Sequence, residues 1–131
     1  MIILRRTLKA GAALLLITFL PLGAIPGKIV ELLGQQPIGD TAWLRLFAVT
    51  GVVLGLLHVL VAQKIQDLWW WCWAFVVFDA GVVVVSMLNA AFGLPKRSAA
   101  WPWWLFGGVS LVFLALYLIG LARAGREKPF V

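Results

Sequence analysis

Residues 68–92 read LWWWCWAFVVFDAGVVVVSMLNAAF, a run whose one charged residue is Asp79. It is longer than the ~20 apolar residues that cross a ~30 Å hydrocarbon core, so as a membrane helix it should tilt or protrude. Trp69, Trp70, Trp71 and Trp73 gather at its start. Indole prefers the headgroup zone, because its ring is apolar and its N–H needs a polar partner. The same grammar repeats on either side. Apolar runs at 8–25, 43–63 and 102–122 complete a set of four, and Trp43, Trp101, Trp103 and Trp104 mark two of their ends. The pattern predicts an all-α integral membrane protein, a four-helix transmembrane bundle filling residues 1–131 as a single domain.

Composition agrees. The 131 residues are 63% hydrophobic and 12% charged, and the mean hydropathy is +1.03. Soluble domains carry about 25% charged residues. The net charge of +6 does not point to nucleic acid, because the basic residues sit at helix ends and form no face interleaved with aromatics. They read instead as topology signals. With the N-terminus inside, Arg5, Arg6, Lys9, Lys64, Arg123, Arg126 and Lys128 lie on the cytoplasmic side, against Lys28, Arg45, Lys96 and Arg97 outside. This excess predicts both termini in the cytoplasm and a multi-pass protein of the inner (plasma) membrane. The lone Cys72 excludes an internal disulfide and reads as a packing residue.

Along the chain, residues 1–7 read as a short basic lead. The run 8–25 resembles a signal peptide but contains Pro21 and lacks a clean small-x-small site, which predicts an uncleaved signal anchor. The longest loop covers 27–42. Within it, residues 28–33 suit one or two interfacial helical turns with Ile29, Leu32 and Leu33 on one face, stopped by Gly34. Residues 64–67 make a tight connection, Gly93-Leu94-Pro95 ends the third span, and Pro102 suits a helix start. The tail from Arg123 reads as basic and frayed.

Polar groups within spans are costly and therefore informative. Seven residues make almost two helical turns, so Cys72, Asp79, Ser86 and Ala90 form one small and polar stripe. In the second span Ala48, Gly51, Gly55, His58 and Ala62 form another, in which Gly51 and Gly55 make a GxxxG element. Gly107, Ser110, Leu114 and Tyr117 make the fourth-span stripe, and Gly11, Thr18 and Ile25 the first. At ~1.5 Å rise per residue, Thr18 and Asp79 fall near the midplane, and His58 and Tyr117 roughly 7–8 Å toward the cytoplasm. Ser86 and Ser110 fall on its outer side. Asp79, His58 and Tyr117, with Thr18, Ser86 and Ser110 around them, are thus candidates for a ligand or proton pocket. The same residues would equally serve as a structural polar clasp. Arg45 and Asn89 lie at similar depth near the outer surface and make a candidate polar pair, the alternatives for Arg45 being snorkelling to headgroups and capture of an anion.

No His-Glu-x-x-His, Gly-x-Ser-x-Gly, phosphate-binding loop or dinucleotide fingerprint occurs, which argues against an enzyme. One histidine and one cysteine cannot make an ordinary transition-metal site, so no metal and no cofactor is expected.

The second span, from Trp43 through Arg45 and Phe47 to Gly51 and Gly55, together with the four-span layout and the loop after the first helix, resembles the small DoxX-like membrane proteins of bacteria. The resemblance implies a compact four-helix bundle and, for some relatives, an accessory role in quinone-coupled oxidation. Small multidrug exporters have a similar size but place a carboxylate in the first helix, where this chain has none. The expectation is a non-enzymatic membrane protein that binds an apolar or amphiphilic small molecule or serves as an accessory subunit. The other reading is a proton-linked transporter or channel built as a homo-oligomer. Membrane lipids, a quinone or another apolar small molecule, a second copy and a larger membrane complex are the candidate partners.

Overall fold

A computed structural model of the protein describes residues 1–128. Helix α1 (Ile2–Ala24) starts well before the expected span, within what reads as a basic lead. Leu4, Thr7, Leu8, Gly11 and Ala12 are buried while Arg5, Arg6 and Lys9 stay exposed. Buried residues at three- and four-residue spacing make this lead an amphipathic helical turn continuous with the span. Pro21 lies inside α1, where it lacks the N–H that would bond one turn back, yet the helix runs on to Ala24.

Helix α2 (Pro26–Leu32) is the short interfacial helix, begun by a proline and ended where Gly34 takes a φ of +64°. It turns Pro26 and Val30 inward and leaves Leu32 exposed, so its packed face is rotated from the one the spacing suggested. Helix α3 (Ala42–Gln63) follows. Lys64 alone separates it from α4 (Ile65–Leu68), so the expected four-residue connection is mostly helix. A tight turn at Trp69–Trp71, α5 (Cys72–Leu88) and a widened turn at Asn89–Gly93 complete the third crossing. Helix α6 (Trp101–Glu127) passes straight through the region expected to fray. Ala124 is buried there, the Met1 ammonium donates to Glu127 (3.3 Å), and Lys128 Nζ donates to the Gln66 carbonyl (2.9 Å). Residues 129–131 of that tail lie outside the described residues.

Four helices are therefore long and apolar enough to cross a membrane, and the protein is a multi-span membrane protein. Its lipid face is paved with exposed side chains such as Ile17, Val53, Val77, Val84 and Val112. Helix α1 packs on α3 and on α6, and α5 packs on α6. Helices α3 and α5 meet through side chains, His58 lying on Phe75. The α1–α3 contact uses the small-residue stripe of α3, where Ala48, Gly51, Gly55, His58 and Ala62 are all buried. A Cβ on Gly55 would lie 3.2 Å from Leu16, and one on Gly51 would collide with the Phe19 ring.

The two ends of the bundle differ. At the end bearing the termini, Leu4, Leu8, Ile65, Phe75, Tyr117 and Ala124 share one buried core. At the opposite end the two long loops are tied together. Gln35 donates through Nε2 to the Leu33 and Ala99 carbonyls (both 2.9 Å) and accepts from Trp103 Nε1 (3.1 Å). The Ala99 N–H donates to the Gly34 carbonyl (2.9 Å), and the Gln36 N–H to Ser98 Oγ (3.2 Å).

Candidate functional site

All four spanning helices contribute to one cavity of about 60 Å³ inside the bundle. Gly11, Leu14 and Leu15 line it from α1, His58 from α3, Phe78 and Asp79 from α5, and Ser110, Phe113 and Tyr117 from α6. The polar stripes of α3, α5 and α6 supply its hydrogen-bonding groups, since inward faces are the only places where such groups avoid hydrocarbon.

His58 is 3% exposed. Its Nδ1 lies 2.7 Å from the carbonyl of Leu54, one turn back on the same helix. A carbonyl only accepts, so Nδ1 carries a proton, and in the neutral ring Nε2 is left as an acceptor. The ring stacks on Phe75 with centroids 3.7 Å apart and planes at 29°, which fixes its orientation. Gly11 provides the room in front of it. A Cβ at residue 11 would lie 3.0 Å from the Tyr117 hydroxyl, 3.1 Å from His58 Cδ2 and 3.3 Å from Nε2. The side chain missing at Gly11 is thus what lets the imidazole edge and the phenol lie close against α1.

Tyr117 is fully buried, its ring set among Phe75, Phe113 and His58 at 5.9–6.3 Å. Its hydroxyl has no hydrogen-bond partner among the described residues. Asp79 is 7% exposed and lines the same cavity as Ser110. No Lys or Arg lines the cavity. The site thus offers two acceptors, the Asp79 carboxylate and His58 Nε2, with two hydroxyls and three aromatic rings around them.

Of the residues expected to build a pocket, Asp79, His58, Tyr117 and Ser110 meet. Thr18 does not: it is exposed and donates to the Leu14 carbonyl of its own helix (2.7 Å). Thr18 lies only about 20° around α1 from Gly11, but beyond Gly11 the packed face shifts toward α3, with Leu16 against Gly55 and Phe19 against Gly51, and leaves Thr18 and Ile25 exposed. Ser86 is buried against Gly107, whose Cβ would lie 3.4 Å from Ser86 Cβ, and it lines no part of the cavity. Arg45 and Asn89 do not pair. Arg45 is exposed, no hydrogen bond or ion pair joins the two among the described residues, and Asn89 Oδ1 folds over Gly93 instead.

The contribution of Gly11 is what a reading of polar residues misses. A signal for it existed: six residues before the midpoint of its span, at ~1.5 Å each, puts Gly11 level with His58 and Tyr117. A second, larger recess of about 220 Å³ lies beside α2, between Val30, Glu31, Gln35 and Ile38. Its wall is mostly loop and it gathers no cluster of titratable groups.

No protein-family model matches this chain, and no curated protein or solved structure matches it.

Proposed function

We propose that the protein is a non-enzymatic inner-membrane protein, with both termini in the cytoplasm, that holds the polar head of an amphiphilic small molecule in the cavity between Gly11, His58, Asp79 and Tyr117. The tail of that molecule lies along the lipid-facing side of the bundle. An accessory role in a larger membrane complex, which the DoxX-like resemblance implies, is compatible with such a ligand. The observation that carries the reading is the grouping of the Asp79 carboxyl, the His58 imidazole and Tyr117, whose hydroxyl has no protein partner, around one cavity that no Lys or Arg lines. An unsatisfied buried hydroxyl costs on the order of 1–3 kcal/mol, a cost that a bound head removes.

Size narrows the guest. A cavity of about 60 Å³ has room for about two waters at roughly 30 Å³ each, whereas a benzene ring occupies an apolar cavity of about 150 Å³. This favours a small head over the ring of a quinone. Native mass spectrometry of protein extracted in mild detergent tests the reading. The wild-type chain should carry a small amphiphile that Gly11→Ala loses. A wild-type chain that emerges bare, at the same mass increment as the variant, would count against it.

A second reading rests on a specific juxtaposition: a carboxyl and an imidazole facing one water-sized cavity. These are the parts of a proton-linked transporter working as a homo-oligomer. Uptake into liposomes that depends on pH in the wild type and loses that dependence in Asp79→Asn would favour it.

A further inference from the structure

We infer that the head group this pocket takes is a primary ammonium, so that the ligand is a cationic single-chain amine. The inference rests on the amphiphile-binding reading above and names its chemistry. Asp79 is a carboxylate within a spanning helix, and no Lys or Arg lines its cavity. An anion held in hydrocarbon needs a counter-charge, or groups that spread its own. Ser110 brings one hydroxyl to the same cavity.

The hydrogen-bonding inventory points the same way. His58 spends its Nδ1 proton on Leu54, so Nε2 enters the cavity as an acceptor. Asp79 is a second acceptor. A primary ammonium has three donors and no acceptor, and so suits a cavity that two helices line with acceptors. Its charge also suits the walls, because Phe78, Phe113 and Tyr117 turn rings to the cavity and ring faces attract cations. The alternatives fit less well. An alcohol brings one donor and no charge. A phosphate or carboxylate head meets Asp79 with like charge and finds no cation. A trimethylammonium head has no N–H to give, and its methyl groups compete for a cavity of only about 60 Å³.

The test uses the full chain in maltoside detergent and three probes of equal tail: decylamine, decanol and decyltrimethylammonium. Binding is read by calorimetry, with the thermal midpoint as an independent readout. Decylamine should bind at least ~10-fold more tightly than the other two, a difference of about 1.4 kcal/mol. Asp79→Asn should abolish that preference. Should this variant fail to fold, His58→Phe, which removes the Nε2 acceptor and keeps a ring against Phe75, should lower decylamine affinity more than decanol affinity. If decanol and decylamine bind equally and Gly11→Ala removes both, the amphiphile pocket stands and the ammonium assignment falls. If Gly11→Ala leaves binding of all three untouched, both fall.

Discussion

The end of the bundle that carries the termini and the end that carries the long loops are held together by different means. Near the termini, large side chains interlock. Leu4, Leu8 and Phe75 are fully buried, and Gly120 lets Leu4 lie against α6, where a Cβ would approach it to 2.7 Å. At the loop end the spanning helices bury little beyond small residues, among them Ala48, Gly51, Ser86 and Gly107, and closure comes from Gln35 and its neighbours. In lipid the hydrophobic effect does not drive helices together, so association depends on close packing and on polar bonds. One end uses the first and the other adds the second. The polar cavity lies on the terminal side of the middle, walled by the interlocked core. Its walls are helix side chains, four of them aromatic, rather than loops.

The sharpest way to break this contrast is through the glycines. Gly51→Leu should lower stability by about 3 kcal/mol or more, because even its Cβ collides with Phe19 and the α1–α3 contact must open. Gly81→Leu and Gly108→Leu should be nearly silent, since a Cβ at either meets nothing within 4 Å. Thermal unfolding followed by tryptophan fluorescence in detergent compares the three. Equal losses would mean that the Gly51 contact contributes no more than the lipid-facing positions.

Next in size is the loop end. Gln35→Ala removes three hydrogen bonds, two of which join the first long loop to the third loop and α6. At about 0.5–1.5 kcal/mol net per bond, a loss of roughly 2 kcal/mol is expected. Hydrogen exchange should rise at Leu33–Gln36 and Ser98–Trp103 while Leu4–Leu8 and Val61–Ile65 stay protected. If protection falls equally at both ends, the two are one cooperative unit.

These two sites also show why parts of the molecule were legible in sequence and others were not. The α3 stripe could be read because a helical period projects Ala48, Gly51, Gly55, His58 and Ala62 onto one face, whatever surrounds it. The same arithmetic brought Asp79, Ser110 and Tyr117 toward His58. It failed for Thr18, because α1 has few polar residues to mark its inward face. The packed positions there are Leu8, Gly11 and Ala12, which hydropathy cannot separate from lipid-facing ones. It failed for Arg45 and Asn89 because equal depth says nothing about which helices are neighbours, and α3 and α5 meet chiefly at His58 and Phe75. The Gln35 clasp was invisible for a simpler reason: loops have no period, and its partners are 64 and 68 positions away. The helical start at Ile2 was missed because Arg5 and Arg6 masked the spacing of Leu4, Thr7 and Leu8.

The smallest expected change in stability separates a binding site from a clasp at the boundary between the two ends. Tyr117→Phe keeps a ring that is fully buried beside Phe75 and Phe113 and deletes only the hydroxyl. That hydroxyl has no protein partner, so no hydrogen bond within the protein is lost with it. Protein stripped of bound small molecules by detergent exchange should then be unchanged or more stable by up to about 1 kcal/mol, since a desolvated and unpaired donor has been removed. In the unstripped protein the sign should reverse, because there the hydroxyl meets a guest. A clasp predicts otherwise: the phenol would bond His58 or Asp79 with or without a guest, and the variant would lose about 1 kcal/mol in both preparations. The measurement is a pair of thermal midpoints before and after stripping, and the decisive quantity is the change of sign. A uniform loss would make Tyr117 part of the packing that holds the terminal end shut and would leave Gly11 as a close-approach residue alone.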